Sequence, residues 1–169
     1  MINYSLPSPI KGYVREKFLY DMDATKTGYI PAKVIGFSSY PGHALTLTVL
    51  LDDGSLFCYL PFDAFTTKQN ATIYFYDVLV YHNCPEGELA VSVLDTLPED
   101  VHVFLKKANA WVSGKYVATI DWYTGNDLLH LVLLSNGQLA AMPNHKVKFG
   151  ASAPKEFPAY KKIHQEWVI

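Results

Sequence analysis

The chain repeats itself. Residues 28–65 read Gly-Tyr-Ile-Pro-Ala-Lys-Val-Ile-Gly-Phe, then Leu-Thr-Val-Leu-Leu-Asp-Asp-Gly-Ser-Leu, then Leu-Pro. Residues 114–147 read Gly-Lys-Tyr-Val-Ala-Thr-Ile-Asp-Trp-Tyr, then Leu-Val-Leu-Leu-Ser-Asn-Gly-Gln-Leu, then Met-Pro. A shared turn glycine alone could be coincidence, but not together with the matched apolar runs and the closing proline, so a duplicated unit is the strongest constraint on the fold. Setting Ala32 on Ala118 and Gly54 on Gly137 leaves three extra residues in the first copy, around Tyr40, Pro41, Gly42 and His43. Insertions fall in loops, so these residues are expected at a loop tip.

Each copy reads as short strands. Tyr116 to Trp122 alternates, Leu128 to Leu134 is a continuous apolar run, and Asn136-Gly137 is the pair favoured in two-residue hairpins, where both central residues need positive φ. Asp53-Gly54 plays that part between Leu45 to Leu51 and Ser55 to Leu60. Upstream lie two more β-prone segments, Gly12 to Tyr20 and Val101 to Lys107. Four or five antiparallel strands of this length make a closed barrel of roughly 60 residues with few unpaired edges. Between the copies, Thr72 to His82 and Glu88 to Leu94 read as a hairpin packed between the barrels. The expected organisation is a first small β-barrel over 1–68, an inserted β-hairpin over 69–97, a second small barrel over 98–149 and a tail over 150–169. The tail's last residues, Ala159 to Ile169, fit a short helix, a docked strand anchored by Trp167, or a frayed end.

Composition agrees: 14% of the 169 residues are aromatic and only 18% charged, which suits half-buried pleated surfaces and excludes disordered, collagen-like and coiled-coil chains. A chain of this size buries roughly 70% of its unfolded surface, so Cys58 and Cys84 are expected as two small buried thiols and not as a required staple. No apolar run approaches the roughly 18 residues that span a bilayer, and no leader pattern opens the chain, so a cytoplasmic protein without membrane contact is expected. The net charge of −2 hides an asymmetry, with residues 1–100 carrying −6 and residues 101–169 carrying +4.

The order aromatic or glycine, Ala-X-Val/Ile, loop, apolar strand, Asp/Asn-Gly turn, Leu, Pro resembles the Tudor-like members of the SH3-like small barrels. The likeness covers each repeat, about half the chain. It implies an all-β fold of two tandem SH3-like (Tudor-like) barrels, and binding of peptides, methylated side chains or nucleic acid. The turns Asp52-Asp53-Gly54 and Ser135-Asn136-Gly137 lack the aromatic residue of that family's turn, so an aromatic cage is not implied. The compact duplicated form is also similar to small accessory proteins of bacterial viruses.

No chemistry-bearing motif stands out. The six histidines have no repeated spacing, no paired Cys-X-X-Cys occurs, and the glycine-rich phosphate loops and nucleophile elbows are missing. The reading is therefore a non-enzyme with no cofactor and no metal, whose loops do the binding. Candidate residues are Trp111, Trp122, Tyr123, Asn126, Asp127, Asn144, His145 and Lys146 in the second copy, with Tyr40 and His43 in the first. Aromatic planes beside amide and basic groups can stack a ring and hold a phosphate. The first copy's counterparts, Phe37, Tyr40, His43, Asp63 and Phe65, are aromatic but acidic, so any anion preference is expected in the second copy only. A partner protein is the leading expectation, for instance a host factor bound by a viral accessory protein. A nucleotide-like ligand is second, sequence-nonspecific nucleic acid third, and self-association stays open.

Overall fold

Segments rich in β-branched and aromatic residues pair side by side because a pleated surface accommodates them, and turn residues break them into short antiparallel strands. The computed structural model describes residues 2–39, 42–72, 89–122 and 128–155. These form an all-β protein of two sheets, with no α-helix among the described residues. The first sheet contains β1 (Ile2–Arg15), β2 (Tyr29–Ser39), β3 (Thr46–Leu51), β4 (Leu56–Leu60) and β5 (Phe65–Thr66). The second contains β6 (Leu89–Ser92), β7 (Asp100–Leu105), β8 (Ala110–Trp122), β9 (Leu129–Leu134), β10 (Leu139–Pro143) and β11 (Val147–Phe149).

Strand order is the same in both: β4-β3-β2-β1-β5 and β10-β9-β8-β7-β11, with β6 paired to β8 off this path. A 3-10 turn precedes the last strand in each, Phe62–Ala64 and Asn144–Lys146, each after a proline in extended conformation. The ladders also fix which residues correspond, and they correct the sequence register. Ala32 faces Leu51 and Gly36 faces Thr48, with an irregularity between Val34 and Gly36. Gly114 faces Leu134 and Ala118 faces Leu131, with an irregularity between Tyr116 and Ala118. The counterpart of Ala32 is thus Gly114, and the counterpart of Ala118 is Gly36. The strand order repeats, but the alanines that made the repeat visible in the sequence are not equivalent.

The inserted ribbon is described only in part. Its first arm lies outside the described residues from position 73 on. Its second arm, β6, pairs residue for residue with β8, from Leu89 opposite Trp122 to Ser92 opposite Thr119. In the first sheet the equivalent part of β2 is paired by the start of β1, Ile2 opposite Ser39 through Ser5 opposite Gly36. β6 and β7 together therefore do for the second sheet what the long β1 does for the first. The expected helix, strand or frayed end over 159–169, and Trp167 with it, also falls outside the described residues.

Both hairpins differ in detail from expectation. Only the glycine has positive φ, +92° at Gly54 and +93° at Gly137. Gly54 N–H donates to Leu51 O and Leu51 N–H to Ser55 O. Gly137 and Leu134 repeat the pattern with Leu134 and Gln138. This is a three-residue loop, a type I turn closed by one left-handed glycine, which explains why Asp53 and Asn136 need no positive φ. Their side chains instead accept from Ser55 N–H and Gln138 N–H.

The two sheets share one apolar core, running from Val14, Val34 and Phe65 to Ile120, Leu131 and Met142. The join is made of backbone as well. Thr67 N–H donates to Gly137 O at 2.8 Å, Thr66 bridges Gln138, and Asn136 Nδ2 reaches Thr72 O at 2.6 Å. An added Cβ at Gly137 would come within 2.8 Å of Lys68 N, whereas one at Gly54 meets nothing within 4 Å. Gly54→Ala is accordingly expected to cost only the left-handed penalty, about 1–2 kcal/mol. Gly137→Ala should cost measurably more in the same urea titration, and equal costs would show that the segment after β5 is not seated on this turn.

Candidate interaction site

The sequence-predicted residues of the second sheet are tied inward. One residue too many at Val117 puts Tyr116 and Thr119 on the same face of β8, since a bulge shifts the alternation by one. His130 stands opposite Thr119 on β9. Leu94 N–H donates to Tyr116 Oη at 3.1 Å, and the Tyr116 and Thr119 hydroxyls are 2.5 Å apart. Thr119 Oγ1 lies 3.1 Å from His130 Nδ1, and His130 Nε2 lies 2.6 Å from Asn144 Oδ1. An amide oxygen only accepts, so Nε2 carries the proton, Nδ1 accepts from Thr119, and Thr119 accepts from Tyr116. One directional chain thus runs from backbone to the exposed Asn144.

Aromatic rings close over it. His130 meets Phe149 at 5.2 Å and 89°, and Tyr116 meets Phe149 at 5.8 Å and 75°. β9 and β11 are separated by β8 and β7 in the sheet, roughly 14 Å if it were flat. The contact therefore requires the second sheet to curl into a half-barrel. His130 is only 4% exposed, and burial pushes its pKa below the usual imidazole value, opposed by the Asn144 hydrogen bond. With both ring nitrogens engaged, His130 suits holding the Asn144 turn better than transferring a proton.

The other predicted residues scatter. Trp111 packs half-buried against Phe104 at 5.5 Å, at the opposite end of β8 from Trp122. The backbone of Trp122 pairs with Leu89. Lys146 is 5% exposed, so it does not project as a loop cation would, and His145 is half-buried beside it. His43 is exposed before β3. Tyr40, Tyr123, Asn126 and Asp127 lie outside the described residues. Sequence reasoning missed Tyr116, Thr119, His130 and Phe149. The signal was available in the correct register, where Thr119, His130 and Asn144 correspond to Phe37, Leu47 and Phe62: polar groups replace a buried apolar trio whose two rings stack at 6.2 Å.

The outward-facing site is on the first sheet. β4 pairs only with β3 among the described residues, so one side of its backbone is a sheet edge. Leu56 is 57% and Tyr59 39% exposed, and the strand Leu-Phe-Cys-Tyr-Leu contains no charge and no proline, the usual guards of an edge. Cys58 is a half-buried free thiol there; Cys84 lies outside the described residues. Leu60 faces Leu47 and Phe57 faces Val49, so Cys58 and Tyr59 together oppose Thr48 in a bulge. Tyr59 sits at φ +64°, a left-handed conformation a bulky side chain avoids, and such strain concentrates where a side chain is being aimed. The counterpart strand β10 is buried along its whole length, and the first copy's 3-10 turn packs against it. Among the described residues the fold therefore covers one copy's edge strand, and none of them pairs with the outer side of the other's.

Among the described residues no three His, Cys, Asp or Glu converge on a metal site, and no helix is long and apolar enough to cross a membrane. Comparison with protein-family models, curated proteins and solved structures found no match to this chain.

Proposed function

We propose that the chain is a non-catalytic binding protein made of two SH3-like small barrels, and that its β4 edge engages a partner protein. Two features support the barrel reading: the shared strand order and the 3-10 turn before each closing strand. The observation that carries the binding reading is Tyr59, held at positive φ and 39% exposed on the strand that also exposes Leu56, an edge without charge or proline. A partner strand added there would pair with the side of β4 that no described strand covers, and the two side chains would supply apolar anchorage. Both nitrogens of His130 are already spent, which fits positioning and not turnover.

The test is capture from cell extract with a photo-crosslinking residue at position 56 or, as control, at position 115. A partner crosslinked through 56 and not through 115 is expected. Tyr59→Gly relieves roughly 1–2 kcal/mol of backbone penalty while losing a half-covered ring, so its stability should change little. Its partner affinity should fall by about tenfold or more, as for an aromatic anchor. Equal capture by wild type and Tyr59→Gly would dispose of the β4 reading.

A further inference from the structure

Laid on each other by their ladders, the two sheets differ in sign at one cross-strand pair. In the second, Asp100 faces Lys115 across β7 and β8, and the two form an ion pair whose hydrogen bond raises the lysine pKa. The equivalent pair in the first sheet is Lys11 facing Lys33. Val14 facing Phe65 and Val103 facing Val147, each the residue after its 3-10 turn, fix that correspondence. Like charges directly opposite destabilise a sheet. Neither ammonium makes an ion pair or hydrogen bond with the described residues. The duplicated architecture can evidently accommodate a neutralising carboxylate at this place, and the first copy carries a second cation instead.

These lysines border an open cavity of about 500 Å³, lined also by Tyr13, Pro31, Asp52 and Thr67. That volume lies within the range of small-ligand clefts. We propose that this groove binds a phosphorylated small molecule of nucleotide size, with its phosphate between Lys11 and Lys33. Two compact ammonium groups act as point charges for phosphate oxygens, and the Tyr13 and Pro31 side chains offer an apolar wall for a ring. Asp52 in the lining disfavours a ligand that is anionic throughout and can accept hydrogen bonds from hydroxyl or amino groups. That combination fits a nucleotide better than a nucleic-acid strand. The location runs against the sequence expectation of an anion preference in the second copy, and it does not depend on the β4 reading.

Isothermal titration and thermal shift with ADP, pyrophosphate, adenosine and a single-stranded oligonucleotide test it. ADP should bind and raise the melting temperature, pyrophosphate should bind more weakly, and adenosine should give no shift at millimolar concentration. Lys11→Asp recreates the Asp100–Lys115 pairing, so it should fold at least as stably as wild type while losing ADP affinity at least about tenfold, because a charge-assisted contact becomes repulsive. Lys115→Ala, in the second sheet, should leave ADP binding unchanged. The proposal is overturned if Lys11→Asp binds ADP as wild type does, if no phosphate-bearing ligand shifts the melting temperature, or if only the oligonucleotide binds.

Discussion

Gly36→Ala is expected to cost more stability than a methyl group added at Gly12, Gly28, Gly54, Gly114, Gly137 or Gly150. Gly36 faces Ser5 across β1 and β2, and a Cβ there would lie 1.8 Å from Tyr4 O, 2.8 Å from Tyr4 C and 3.2 Å from Ser5 Cα. All three are backbone atoms, so no rotamer change can make room. Either β1 lifts off β2 or the sheet opens locally, and both surrender the pairing that seats the Leu6 and Val14 side chains in the core. A loss of about 4 kcal/mol or more belongs to this class of lesion. At roughly 2–4 °C per kcal/mol, the melting temperature should drop by about 8–16 °C. Ala118→Gly, at the matching place in the second sheet, should cost only about 1 kcal/mol of backbone entropy and lost burial. A Gly36→Ala protein that melts with the wild type would mean that β1 does not run over Gly36 in solution.

The same pair of residues explains what could and could not be read from the sequence. Turn glycines, apolar runs and the proline before the last strand are local signals, and they disclosed the duplication and the all-β class. The register was hidden because the closest identity, Ala32 with Ala118, is between non-equivalent positions. The true pair, Gly36 with Ala118, differs for a tertiary reason. β1 continues at least to Ser5 directly over Gly36, whereas β6 ends at Ser92, opposite Thr119. With that misplaced identity went the contrast between Phe37, Leu47, Phe62 and Thr119, His130, Asn144. Asn144 itself was legible as a polar residue after the proline that closes the second repeat; its partner His130 looked like one of six scattered histidines. The exposure of β4 was not legible at all. Leu-Phe-Cys-Tyr-Leu and the buried Leu-Ala-Ala-Met-Pro are both apolar, and only the packing of one copy against the other decides which is covered.

Replacing His130 by leucine should produce the other large effect, and its size should depend on pH. Leu47 already occupies the equivalent place in the first sheet, so the architecture admits the shape. The loss is therefore polar: the buried Thr119 hydroxyl loses its acceptor and Asn144 loses its donor, a penalty of roughly 1–3 kcal/mol at neutral pH. Burial lowers the His130 pKa from 6.5 in the folded protein, so the folded state keeps the ring neutral while the unfolded chain takes up a proton as pH falls. Its contribution is then complete above about pH 6.5 and declines toward the lower folded pKa, by at most about 1.4 kcal/mol per pH unit for one proton. Leucine has no such dependence. Urea titrations at pH 7, 6 and 5 should show the wild type's advantage over His130→Leu shrinking with acidification, whatever the remaining histidines do in both proteins. An advantage that is the same at pH 5 and pH 7 would mean that the ring is not held neutral, and the directional chain from Leu94 to Asn144 would have to run another way.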